Sequence, residues 1–169
     1  GNDHRLGANE APPAIISMYL GDELYAVLES IKDGKPLGEH GAQKMTIGVD
    51  VLPPIPKDST DRNRTSPFAF TGNKFEFRSC GSSLSISGPN TTLDSIVAYT
   101  LKEFADELEK ATDFDAALAE LIKREVTKHW KVIFNGNGYD SSWIDEAEKR
   151  GLLNLRTLPD AMAHYLDSK

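Results

Sequence analysis

Phe68–Arg78 reads "FAFTGNKFEFR". Thr71-Gly72-Asn73 is turn chemistry, and the flanking residues alternate, so the stretch predicts two short strands around a tight turn, or one strand with a bulge. Side chains on a strand alternate faces, so Lys74, Glu76 and Arg78 share one face and Phe75 and Phe77 the other. A half-buried strand needs one apolar face, and the phenylalanines supply it by packing the sheet against helices. The opposite face then carries three charges. It is either a solvated face with ion pairs, or the floor of a site. As a site, a carboxylate offers oxygen to a hard cation, flanked by cations suited to anionic oxygens.

Before this stretch, Ala14–Leu20 is an apolar run after a proline pair and predicts a strand. A helix follows from Asp22 to about Ile31, with Leu24, Val27, Leu28 and Ile31 at helical spacing and Gly34 as its stop. Met45–Leu52 predicts a strand, and the Pro-rich segment after it an extended loop. After the hairpin, Ser79–Pro89 reads as a small-residue loop. Asn90 or Thr92 then caps a helix to about Lys110, striped with Leu93, Ile96, Val97, Leu101, Phe104 and Leu108. A second helix opens at Asp113 or Asp115 and runs to about Phe134, with Leu118, Leu121, Ile122 and Ile133 on one side. A short helix spans Ser142–Arg150, and a last one starts at Pro159. Strands first and helices after indicate an α+β fold, with a mostly antiparallel sheet in residues 1–90 and helices packed on it in residues 91–169.

The 169 residues fit one domain, with 39% apolar and 27% charged content, as in ordinary globular proteins. The net charge of −7 argues against wholesale nucleic-acid binding. No apolar run approaches the roughly 20 residues of a membrane span. Cys80 is alone, so no internal disulfide forms, and the expected location is cytoplasmic. It has no evident base nearby, which favours a structural thiol. "NGNGYD" at Asn135–Asp140 follows a helix and lacks the Lys-Ser/Thr of a phosphate loop, so it reads as a turn. Trp130 and Trp143 read as core.

Two further stretches carry charge in loop contexts. Arg62-Asn63-Arg64-Thr65 is either an exposed basic loop or a cradle for phosphate, since the arginine fork suits both phosphate and carboxylate. His4, Arg5 and Glu10 lie in a Gly- and Pro-punctuated segment without periodicity.

Taken in order, Arg5-Leu6…Glu10-Ala11-Pro12, Arg62-Asn63-Arg64-Thr65 and Lys74-Phe75-Glu76-Phe77-Arg78 resemble three motifs of glutamine synthetases, and the wording is closest to the large type III enzymes. The resemblance implies an ATP-dependent glutamate–ammonia ligase working through γ-glutamyl phosphate with Mg²⁺ or Mn²⁺. It implies that Glu76 is a metal ligand and that Arg78 binds the glutamate α-carboxylate. Arg64 would steady the transferring phosphoryl group and the nucleotide. Lys74, in place of a family arginine, would lie near the nucleotide phosphates. Arg5 would hold the reacting carboxylate or phosphate, and Glu10 would belong to a flap that closes over glutamate and helps deprotonate ammonium. The family's further arginine is replaced by Ala69. The family's other metal ligands precede the first motif, so the chain is expected to be the C-terminal part of a longer catalytic domain, inactive alone. The implied partners are glutamate, ammonia, ATP and further copies of the parent chain in a homo-oligomer, with no nucleic acid and no membrane. The alternatives are another glutamate–amine ligase on the same scaffold, or a non-catalytic nucleotide-binding or oligomerisation module.

Overall fold

The structure, a computed structural model, describes residues 15–35, 44–45, 55–56, 66–78 and 83–166. Its central element is a short sheet that joins an early strand to a hairpin distant from it in sequence. β1 (Met18–Tyr19) runs parallel to β4 (Phe68–Phe70), and β4 pairs antiparallel with β5 (Phe75–Phe77). A separate antiparallel pair joins β2 (Lys44–Met45) and β3 (Ile55–Pro56). Antiparallel pairing thus predominates, as expected, although the larger sheet is mixed. Of the strand expected over Met45–Leu52, residues 46–52 lie outside the described residues. The segment read as an extended loop contains β3 instead.

α1 (Gly21–Asp33) forms where the helical spacing predicts it. Gly34 ends it with φ at 65°, and its N–H donates to the Ile31 carbonyl at 3.3 Å. A glycine reaches this left-handed conformation without the clash a Cβ would bring.

α2 (Ser87–Leu108) starts earlier than its sequence suggests, and neither Asn90 nor Thr92 caps it. Ser87, Gly88 and Pro89 were expected in a loop but form the first turn. A proline is harmless there because first-turn N–H groups have no intrahelical acceptor. The Ser85 hydroxyl instead accepts from the Ser87 N–H at 3.2 Å.

α3 (Phe114–His129) is capped as expected, with the Asp113 carboxylate accepting the Ala116 N–H at 3.0 Å. It does not reach Phe134. The chain tightens into a 3₁₀ turn at Trp130–Val132, and Ile133 then pairs in parallel with Met18. The Phe134 N–H donates to the Met18 carbonyl at 2.9 Å, so the sheet captures these residues from the helix. On α3, Leu121 is buried as expected while Ile122 is exposed.

α4 (Ser142–Lys149) and α5 (Leu158–Leu166) follow. α5 opens with a reciprocal cap: Thr157 N–H donates to the Asp160 carboxylate at 3.1 Å, and Asp160 N–H to the Thr157 hydroxyl at 3.4 Å.

Two packing centres hold these elements. Ile15, just before β1, is fully buried against Trp143 and Ala147 of α4, with Phe134 packed alongside. Phe134 and Trp143 stack with centroids 3.6 Å apart, and the Arg150 guanidinium lies 5.4 Å from the Trp143 ring. Arg150 is itself aimed by Glu146 at 2.8 Å and by the Ile133 carbonyl at 2.9 Å. The second centre lies around α3. Tyr25 of α1 meets Trp130 at 5.1 Å, and Glu107 of α2 takes both forks of Arg124 at 2.8 Å. No helix among the described residues is long and apolar enough to cross a membrane.

Candidate active site

The β4–β5 hairpin closes through Gly72, whose φ is 94°. Nothing lies near enough to crowd a side chain there, so the positive φ is what calls for glycine. The Thr71 N–H donates to the Lys74 carbonyl at 2.9 Å, which fixes a two-residue loop and hence the register. Phe77 lies opposite Phe68, Glu76 opposite Ala69 and Phe75 opposite Phe70.

Because paired residues share a face, Tyr19, Ala69 and Glu76 form one row and Met18, Phe68 and Phe77 the next, on the other side. The phenylalanines meet one another across the hairpin. Phe68 lies 5.7 Å from Phe75 and 5.8 Å from Phe77, and Phe70 lies 5.2 Å from Phe75. Phe75 stays 45% exposed, so helices among the described residues do not fully cover this side.

On the opposite face the three charges come together. Glu76 Oε2 accepts from Arg78 Nη2 at 3.3 Å, and Glu76 Oε1 lies 3.5 Å from Lys74 Nζ. The Thr71 hydroxyl donates to Oε1 at 3.3 Å, a partner the sequence did not flag although it closes the same turn. Arg78 is the most enclosed of the three, its side chain 12% exposed against 39% for Glu76 and 66% for Lys74. Partial burial raises the Glu76 carboxyl, but Arg78, by hydrogen bond and charge, and Lys74 outweigh it and hold the group below its ordinary range. Glu76 is therefore ionised at neutral pH. These contacts are long, and such pairs near the surface contribute little to stability. The row therefore adds little to holding the sheet together.

Arg5, Glu10 and Arg64 lie outside the described residues. The structure thus brings together Lys74, Glu76 and Arg78. A carboxylate fits one coordination position of Mg²⁺ or Mn²⁺. Among the described residues, however, no cluster of three metal-ligating side chains occurs, so Glu76 does not make a metal site with them alone. An open groove of about 770 Å³ between α2 and α3, lined by Glu107, Arg124 and His129 among others, contains none of the motif residues.

Residues 117–169 match the family model of the glutamine synthetase C-terminal domain. The whole chain also aligns with relatives: 48% identity to a type-3 glutamine synthetase of Dictyostelium discoideum, 40% to a glutamine synthetase of Bacteroides fragilis and 44% to one of Butyrivibrio fibrisolvens. The chain belongs to the glutamine synthetase family. Within it, the similarity to the Dictyostelium type-3 protein along the whole of this chain agrees with the type III wording of the motifs. The chain spans about a quarter of the length of these relatives, 23–24%.

Proposed function

We propose that the chain is part of an ATP-dependent glutamate–ammonia ligase. In that reaction a γ-carboxylate oxygen of glutamate attacks the terminal phosphorus of ATP and ADP leaves. The nitrogen of ammonia then attacks the acyl carbon of γ-glutamyl phosphate, and inorganic phosphate leaves with the acyl–oxygen electron pair. The observation that carries this reading is the Lys74–Glu76–Arg78 row, set on one face of a strand whose other face is phenylalanine.

In this reading Arg78, enclosed and braced by Glu76, pairs with the α-carboxylate of glutamate through its planar fork. Lys74, the most exposed of the three, reaches toward nucleotide phosphates. Arg64 steadies the phosphoryl group in flight. Arg5 holds the reacting carboxylate. Glu10 takes a proton from ammonium and helps exclude water from the acyl phosphate. Glu76 supplies one carboxylate oxygen to Mg²⁺ or Mn²⁺, with the remaining ligands coming from outside the described residues. The metal, when bound, neutralises phosphate charge. A homo-oligomeric enzyme using the ATP of the cytoplasm completes the proposal.

The test is glutamine formation from glutamate, ammonia and ATP by the full-length polypeptide carrying these residues. Wild type is expected to turn over and the isolated 169-residue chain to be inactive. Arg78→Ala is expected to raise KM for glutamate by roughly tenfold or more, the loss of a charged hydrogen-bonding partner. Turnover by the isolated chain equal to that of the full-length protein, or an unchanged KM in the variant, would contradict the proposal.

A further inference from the structure

We propose that Asn137 is a site of spontaneous deamidation, and that the fold protects Asn135, two residues earlier, from the same reaction. Both asparagines precede a glycine in the Asn135–Asp140 turn. A glycine leaves the peptide nitrogen after the asparagine unhindered, so either carboxamide is open to attack by its own backbone. The reaction consumes only water and is independent of the ligase reading.

The fold treats the two side chains differently. The Asn135 carboxamide is half-buried and reaches the start of α1. Its Oδ1 accepts the Leu20 N–H at 2.9 Å, and its Nδ2 donates to the Gly21 carbonyl at 3.3 Å. Attack by the Gly136 nitrogen requires the group to leave both partners. Packing also demands that glycine, because a Cβ at residue 136 would stand 2.5 Å from the Phe134 ring.

Asn137 is exposed, and its Oδ1 accepts the Tyr139 N–H at 3.0 Å. A side chain bonded to the N–H two residues on folds back over the intervening peptide, which brings Cγ toward the Gly138 nitrogen. The same N–H stabilises the negative charge that Oδ1 acquires when that nitrogen attacks. Gly138 is buried, so solvent base approaches its peptide from the exposed Asn137 side.

In the reaction the Gly138 nitrogen loses its proton to solvent base and bonds to Asn137 Cγ. The Cγ–Nδ2 bond breaks, and the nitrogen leaves as ammonia with the electron pair and a proton from solvent. Water then opens the cyclic imide. Addition at Cγ gives aspartate on an unchanged backbone. Addition at the main-chain carbonyl carbon breaks its bond to the Gly138 nitrogen and gives isoaspartate, with the chain now running through Cγ.

The consequence reaches α4. The Asn137 carbonyl accepts the Asp140 N–H at 3.1 Å. Asp140 in turn accepts the Ser142 N–H on its carboxylate at 2.9 Å and the Trp143 N–H on its carbonyl at 3.0 Å. In isoaspartate the Asn137 carbonyl becomes part of a free carboxylate off the main chain, so the turn that starts α4 and seats Trp143 is altered.

The experiment ages the full-length polypeptide at mildly alkaline pH, folded and in urea. Both sites are followed by peptide mass spectrometry, with fragmentation that separates aspartate from isoaspartate. In the folded protein Asn137 is expected to convert roughly tenfold or more faster than Asn135, because two hydrogen bonds must open before Asn135 reacts. In urea the two rates should come within about threefold, since each asparagine then has a glycine neighbour and no folded partner. A smaller preference for Asn137 in the folded protein overturns the proposal, as does an Asn137 that stays intact while the unfolded chain converts. A preference in urea as large as that in the folded protein also overturns it, because local sequence rather than the fold then makes the choice.

Discussion

The sheet and α2 are built on opposite terms. Ile15, Ser17, Ala69 and Ser66 are buried around a sheet whose named strands are two or three residues long. α2 has 22 residues and not one is buried. Its apolar stripe is continuous, yet only Leu93 near its start and Phe104 and Leu108 near its end are half-covered. Ile96, Val97 and Leu101 are each more than half exposed. Regular secondary structure and burial are thus uncoupled here. The shortest elements carry the enclosed packing, and the longest relies on local hydrogen bonds and an ionic attachment to α3.

The largest test of that contrast is Trp143→Ala. It removes the ring that stacks on Phe134 and covers Ile15, and it should cost about 3–5 kcal/mol in urea unfolding of the chain. A loss below about 1 kcal/mol would mean that the C-terminal helices do not anchor β1.

A smaller effect is expected at Glu107. Its hydrogen bond to Arg124 is the main influence and lowers the carboxyl below 4.5; partial burial opposes it, and the Arg124 charge adds to the lowering. A depressed folded-state value means the pair stabilises at pH above 4.5 and is lost as pH falls through that lower value. Wild type should therefore exceed Glu107→Gln in stability at neutral pH, with the difference vanishing in acid. A difference that grows in acid would reverse the assignment.

The smallest effect is expected at Leu101→Ser, within about 0.5 kcal/mol, because the side chain is already mostly in water. A loss of about 2 kcal/mol would show that α2 is covered in solution, and the contrast would collapse.

What was legible in the sequence was local. α1 and its Gly34 stop, the hairpin at Gly72 and the Asp113 cap each depend on residues within one turn of one another. The end of α3 was not legible, because Ile133 leaves the helix for a strand over a hundred residues away in sequence. The start of α2 was misread because Gly88-Pro89 punctuates chains in general, yet both are tolerated in a first turn. At the candidate site, alternation alone put Lys74, Glu76 and Arg78 on one face, and the geometry agrees. Thr71 reads in the sequence only as turn chemistry, because its hydroxyl reaches Glu76 once the hairpin register sets the two on one face.

The pairing of β1 also sets a timetable for synthesis. The Asn135 carboxamide accepts the Leu20 N–H at 2.9 Å, across 115 residues of chain. At a ribosome adding about 5–20 residues per second, β1 waits on the order of ten seconds for that partner. β4, whose Phe68 pairs with Met18, emerges well before it. During that interval one edge of β1 is without Ile133 and the apolar surface of Ile15 is without Trp143. A nascent chain paused between these two events leaves both exposed, the kind of surface that chaperones cover.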